Sequence, residues 1–423
     1  MEYFNINKKT YIFLPVLILI VEWVFVFYLN FNNPYHFVTM SKSTVALILV
    51  GLFFILLGYF FIDSFYLKNS NELPGDSNAV DINKDLLAKI ILILSVLMGI
   101  GLFLLILQIR KITSNFSLYL INPFLVREKL IALHSGDMGG ISAISYRFST
   151  YLSTLMFPLS VLGGIMAAQE GPKRHLGKIP IILVIVYSVV NLNRFAFITS
   201  LGLWLLSLLY FIIFVDKEYR QKMIRRITWY IIIAFLLVVA FFVLILKLRT
   251  ITSSSIEDFA IRSIYSYFSG SGSALEKFLF FEPRHVWGAS SFRSIFRWLT
   301  KFGLVDKSLV FGTHNVFTNV SVGQPLFMNT YTFIKSPFED FGLIGVGVIC
   351  SLWGMIARYL LERYFRKFSI GSLFWVSIMT FSFFMSFYEF FFQNLTLFVY
   401  WFLILYLVQY IMERHEEKKY EKI

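Results

Sequence analysis

The sequence predicts an all-α, polytopic integral membrane protein, and three observations carry that expectation. The chain is 57% hydrophobic and 15% charged, where a soluble domain carries about 25% charged residues. It contains long runs without any charge, such as IIIAFLLVVAFFVLIL (231–246), which exceed what soluble core helices use. Its Lys and Arg residues are divided unequally between alternate connections. Spanning backbone must satisfy its own hydrogen bonds, and the alternating pattern of a barrel is missing, so every span is expected to be helical.

About ten segments meet the requirement of roughly 20 apolar residues per span. The first, 11–29, follows Lys8 and Lys9 as the core of a signal peptide would. Its apolar part runs about 19 residues, too long for an ordinary signal core, and no small-x-small cleavage site follows. It is therefore read as an uncleaved helix. Further spans are expected at 44–66, 88–108, 149–168, 178–193, 195–215 and 228–247. The last three lie at 340–361, 370–388 and 395–412. With no repeat of fixed period and no domain-sized linker, residues 1–423 read as a single membrane domain.

Orientation follows from the positive charges in short connections. With the N-terminus inside, the inner segments hold 21 of the 38 Lys and Arg residues, and the three short outer connections hold two, Lys42 and Arg194. Both termini are thus expected in the cytoplasm, with the chain crossing the cytoplasmic (inner) membrane many times. The other 15 basic residues fall in two long outer segments, 109–147 and 247–339. The larger external loop, 248–339, separates the seventh and eighth spans. A net charge of +13 placed in this way points to an anionic, membrane-attached substrate, not to nucleic acid. The single cysteine, Cys350, has no partner for an intramolecular disulfide and no metal-ligand spacing around it.

Specific positions then stand out. The stretch ASSFRSIFRWLTKFGLV (289–305) sets Arg293, Arg297 and Lys301 at i, i+4 and i+8, with Phe292, Ile295, Phe296, Leu299 and Phe302 on the other side. An amphipathic helix near 289–303 is expected in the outer interface, its basic stripe either meeting a lipid-linked pyrophosphate or simply anchoring the helix to lipid. Arg194 follows a fifth span of only about 15 residues, which barely crosses a ~30 Å core. It is expected at or just below the outer interface, where its planar fork could hold a phosphate or snorkel to headgroups.

In NTYTFIKSPFEDFGLIGV (329–346), Ser336, Pro337 and Glu339 have the spacing of a capping box: N-cap, N1 and N3. That assigns Glu339 a structural role and leaves Asp340 over, as a general base or as an electrostatic partner of the helix start. Four histidines, His36, His134, His285 and His314, face outward on this topology. Of these, His285 and His314 are placed to take a proton from a sugar hydroxyl. Glu22 and Glu389 lie in or at the end of spans and are costly to bury.

Absences narrow the chemistry. There is no P-loop, no HExxH, no GxGxxG and no Asp-x-Asp pair, so neither a metal nor another cofactor is expected. The stretches NLNRFAFITSLGLWLL (191–206), YSYFSGSGSALEKF (265–278), FEPRHVWGASSFRSIFR (281–297) and NTYTFIKSPFEDFGLIGVGV (329–348) resemble those of the oligosaccharide repeat-unit polymerases, the Wzy-type O-antigen and capsular polysaccharide polymerases. The resemblance covers most of the chain. The Gly-x-Arg of that family stands here as Asn191-Leu192-Asn193-Arg194, so only the arginine carries over.

The resemblance implies a metal-independent glycosyltransferase working on the outer face of the cytoplasmic membrane. A growing glycan would pass from an undecaprenyl pyrophosphate carrier to the sugar hydroxyl of a new lipid-linked repeat unit. Arg194, Arg284, Arg293 and Arg297 are the candidates to hold the pyrophosphate, and His314, His285 or Asp340 the candidates for the base. Membrane lipid and lipid-linked oligosaccharides are the implied partners, with room for a chain-length regulator and a repeat-unit flippase. An O-antigen ligase-like transferase and a polysaccharide transporter are the alternatives.

Overall fold

The computed structural model describes residues 11–66, 82–113, 141–191, 193–215, 217–249, 256–280, 285–306, 320–323, 326–328 and 330–420. Apart from one two-stranded antiparallel hairpin, the described elements are helices. In chain order these are α1 (Leu14–Asn32), α2 (Lys42–Tyr66), α3 (Lys84–Thr113), α4 (Ile141–Ser153), α5 (Met156–Ala167), α6 (Ile179–Val190), α7 (Arg194–Phe211), α8 (Lys217–Arg249) and α9 (Ile256–Phe280). After α10 (Arg293–Lys301) come β1 (Val320–Gly323) and β2 (Leu326–Met328), then α11 (Lys335–Arg366), α12 (Ile370–Phe384) and α13 (Leu395–Tyr420). The all-α, multi-pass membrane architecture expected from the sequence is present.

Among the described residues, eight helical segments are long and apolar enough to cross a membrane. They correspond to eight of the ten expected spans. The other two are shorter: α6 has 12 residues and α12 has 15. At 1.5 Å per residue these reach about 18 and 22 Å, short of a ~30 Å hydrocarbon core. The proline that opens α6 follows a 3₁₀ segment, Pro172–Lys178, which consumes the residues a longer helix would need. Outward-facing apolar side chains such as Phe53, Ile93, Val96 and Phe235 are more than half exposed, as lipid-facing residues are in a protein taken without its bilayer.

The chain divides into two compact units, residues 1–75 with 261–400, and residues 76–260 with 401–423. In the second unit α5 is the centre: all 12 of its residues are buried, and it packs against α7, α3 and α6. Its loop side is closed by Trp204, whose Nε1 donates to the Gly177 carbonyl (2.7 Å).

In the first unit α2 lies alongside α11, α11 packs on α12, and α12 on α1. The α2–α11 contact is parallel and very close. A Cβ on Gly58 would fall 2.0 Å from the Ser351 carbonyl oxygen, and one on Gly354 would fall 2.0 Å from the Ile55 oxygen. Small residues at a helix crossing let the backbones approach, which is the main source of packing energy between helices in lipid. Around this seam Trp353 sits among Phe333, Phe383 and Phe390 at ring distances of 5.8, 5.2 and 5.6 Å. The two buried indoles of the first unit are satisfied: Trp353 Nε1 donates to Ser382 (3.1 Å) and Trp23 Nε1 to Ser386 (2.8 Å). Such partners are what buried tryptophans require.

Gly58→Leu should therefore part α2 from α11. We expect it to cost at least the ~1–3 kcal/mol of an overpacked core, seen as a lower melting temperature in detergent; a wild-type melting curve would contradict the tight seam.

Candidate functional site

Because α2 and α11 run parallel, both begin at the same end of the first unit, and the polar loops gather there. Three backbone hydrogen bonds stitch them: Val38 N to Val322 O (2.8 Å), Val286 N to Glu339 O (3.1 Å) and Phe333 N to Ser386 O (2.8 Å). Glu276 of α9 adds a fourth tie, accepting from both the amide and the hydroxyl of Ser41 at 2.8 Å.

The first turn of α11 does not use the capping box that the spacing predicts. The helix starts two residues earlier, at Lys335, with Ile334 as N-cap and no side-chain cap. Tertiary partners take the polar groups instead. Ser336 Oγ accepts from Gln393 Nε2 (2.9 Å). Glu339 Oε2 receives Lys335 Nζ (2.7 Å) and Ser290 Oγ (2.6 Å). Lys335 and Glu339 are both buried, so removing either would strand a desolvated charge.

Asp340 is committed as well. Its Oδ1 accepts from the Ser290 amide (2.9 Å) and its Oδ2 from the Ser291 amide (2.7 Å). The helix then breaks: Phe341 leaves helical geometry and Gly342 adopts φ +61°, a value few side-chain-bearing residues tolerate. His285 lies over this break. A Cβ at Gly342 would be 3.4 Å from its Cε1, and the imidazole is otherwise exposed.

The clamp on Ser290 and Ser291 fixes the turn that leads into α10. That turn places Trp287 at φ +50° and Gly288 at φ +91°, and α10 follows directly. Its register is held at the other side by the Thr396 amide, which donates to Ser294 Oγ (3.3 Å). The amphipathic pattern read from the sequence is present over Arg293–Lys301, and its apolar side faces outward: Trp298 is 59% and Phe302 62% exposed.

Arg293 turns toward the protein, where it feels Glu389. Burial first, and then the neighbouring Arg297, push the Arg293 guanidinium down to about 10, while Glu389 acts in the opposite sense. Burial also lowers Arg297. Both remain cationic at neutral pH. Glu389, in the turn after α12, is pushed up by burial to about 7, with Arg293 opposing the rise.

Glu389 also lines a small cavity. Residues 330–332 with Lys335 and Ser336 form one side, and Glu389 with Gln393 the other. Water-sized groups have about 20 Å³ of room there, enough for one or so. Two of its hydroxyls, Thr330 Oγ1 and Thr332 Oγ1, are buried without a hydrogen-bond partner among the described residues. Tyr331, whose phenol burial pushes up to about 12, also borders it.

Of the residues singled out in the sequence, Asp340, His285, Arg293 and Arg297 belong to this end of the first unit. Arg194 belongs to the second unit, where it is the first residue of α7 behind a true N-cap: Asn193 Oδ1 accepts from the Ala196 amide (3.2 Å). Arg284 and His314 lie outside the described residues, as does His134. Sequence reasoning noted the cost of burying Glu389 but did not assign it to a site, and it passed over Thr330, Thr332, Lys335 and Gln393. The usable signal was there: an acid in a span-terminal turn and a Thr-x-Thr just before a buried helix start.

No family model, curated protein or solved structure matches the chain.

Asp340→Ala leaves two buried amides without acceptors, each costing about 1–3 kcal/mol. We expect faster hydrogen exchange at residues 289–292 and a lower melting temperature. Asp340→Asn, which keeps one acceptor oxygen, should fall between; exchange unchanged in Asp340→Ala would contradict the clamp.

Proposed function

We propose that the protein polymerises lipid-linked oligosaccharide repeat units. In this reading it passes a growing glycan from a polyprenyl diphosphate carrier to a new lipid-linked unit at the outer face of the cytoplasmic membrane. The observation that carries the reading is the placement of Arg293 and Arg297. Arg293 is half-buried and Arg297, one turn on, is exposed, on a helix whose apolar edge, Trp298 and Phe302, is also exposed. Such a helix lies in a membrane interface, at the depth where the phosphates of a lipid-linked substrate sit, and guanidinium groups match phosphate geometry. The resemblance of the sequence to repeat-unit polymerases supports the same class of reaction.

The chemistry needs little else. The energy resides in the glycosyl–diphosphate bond, so charge must be stabilised where the leaving group departs. Two arginines one helical turn apart, the first of which feels the field of Glu389, serve that need. Arg194 enters the proposal on the resemblance alone, as a further phosphate ligand. The exposed aromatic side chains around α10 give the two lipid tails an apolar flank.

Deletion of the gene should reduce the surface polysaccharide to single repeat units, and Arg293→Ala or Arg297→Ala should fail to restore the chain-length ladder, with at least tenfold less long-chain product. A deletion strain that accumulates long chains on the carrier lipid would instead favour a ligase-like transferase. A ladder unaltered in both arginine variants would remove them from the site.

A further inference from the structure

The cavity beside Glu389 has a composition that the diphosphate does not explain. It presents hydroxyls from Thr330 and Thr332, a carboxyl and an aromatic edge, and its two cationic neighbours are on different duties. Lys335 is bound to Glu339 at 2.7 Å and stacks over the Phe278 and Tyr331 rings at 5.1 and 5.4 Å. Arg293 lies outside the lining and acts on Glu389 through its field. An anion would meet a carboxyl here; a hydroxyl would meet donors and acceptors.

The buried hydroxyls carry the argument. Thr332 is 1% and Thr330 9% exposed, and neither Oγ1 has a partner among the described residues. Leaving such groups unpaired is unfavourable, a cost that a bound hydroxyl in the same cavity would relieve. The room available suits one such group, not a whole sugar ring. The acids nearby are unequal. Glu339 is held by Lys335 and Ser290, and both oxygens of Asp340 accept backbone amides. Glu389 is the carboxyl that borders the cavity.

We propose that this cavity receives the attacking hydroxyl of the acceptor sugar, with Thr330 and Thr332 orienting it and Glu389 accepting its proton. The inference rests on the glycosyl-transfer reading above and adds the acceptor side to it. The hydroxyl oxygen bonds to the anomeric carbon of the donor as the bond from that carbon to the diphosphate oxygen breaks. The bonding pair leaves on the diphosphate, next to Arg293 and Arg297, and the hydroxyl proton passes to Glu389, which later yields it to water. Three roles thus fall to three sets of side chains within one unit.

Among the groups facing Glu389, the setting fixes all charges but its own near neutrality. Arg293, pushed down to about 10, stays charged, and Tyr331, pushed up to about 12, stays neutral. Lys335 and Glu339 neutralise each other. A base must be ionised, so the rate should climb as pH rises through the value of about 7 to which burial lifts Glu389.

The test uses the full chain in the cell of origin with the chromosomal copy deleted. Wild type, Glu389→Gln, Glu389→Asp and Thr332→Val are returned in turn, and the chain-length ladder is read on gels. Elongation of endogenous lipid-linked units is also followed in membrane vesicles from pH 5.5 to 8.5. We expect Glu389→Gln, present in the membrane with an unchanged melting temperature, to lose at least 100-fold in elongation. Glu389→Asp should restore part of the ladder with a displaced pH limb. Thr332→Val should slow elongation several-fold and leave the limb in place. A ladder restored by Glu389→Gln, or a wild-type rate flat across neutrality, overturns the role of Glu389 while the polymerase reading stands. A ladder that survives deletion overturns the polymerase reading itself and the acceptor site with it.

Discussion

Asp340 gives one carboxylate oxygen to each of two consecutive amides, those of Ser290 and Ser291, at the point where the first turn of α11 breaks. Much of the polar end of the first unit follows from that bidentate grip. It fixes the turn before α10, so the arginines of α10 are aimed by a helix start that is itself seated against α2. Glu339 reinforces the hold through Ser290 and is neutralised by Lys335. Buried carboxylates survive only where hydrogen bonds and opposite charge compensate them, and here the compensation doubles as the connection between a membrane helix and an interfacial one.

The same end of the unit shows how a membrane protein separates its surfaces. The apolar edge of α10 points outward while Arg293 turns toward Glu389. In water this arrangement would be inverted; at a membrane interface the aromatic edge meets acyl chains and headgroups. Desolvation acts on both partners, lowering Arg293 and raising Glu389. The result is a permanent cation beside an acid that titrates near neutrality, the kind of contrast on which acid–base chemistry depends.

The helices were largely legible in the sequence because long chargeless runs have few alternatives in lipid. The two shortfalls have local causes: a 3₁₀ segment before α6, whose own first turn carries a proline, and a short, thoroughly buried α12, whose hydrophobicity was extended through the turn that carries Glu389. At the site, the basic stripe of α10 and the importance of the 339–340 pair could be read from spacing. The capping box could not be trusted, because Ser336 and Glu339 found other partners, Gln393 for the first and Ser290 with the same-helix Lys335 for the second, that outcompete a local cap. The cavity was invisible for a similar reason. Glu389 lies more than fifty positions from Thr330 and Thr332, and the backbone pairing of Phe333 with Ser386 helps bring them together.

The proposed glycosyl transfer requires the arginine-bearing helix to face the non-cytoplasmic side of the membrane. The native Cys350 is fully buried, so a single new cysteine can report sidedness with little background. Lys301→Cys, at the exposed end of α10, should react with a membrane-impermeant maleimide in intact cells whose outer barrier has been opened and whose cytoplasmic membrane is sealed. Labelling that appears only after the cytoplasmic membrane is breached would place the site inside and contradict the account.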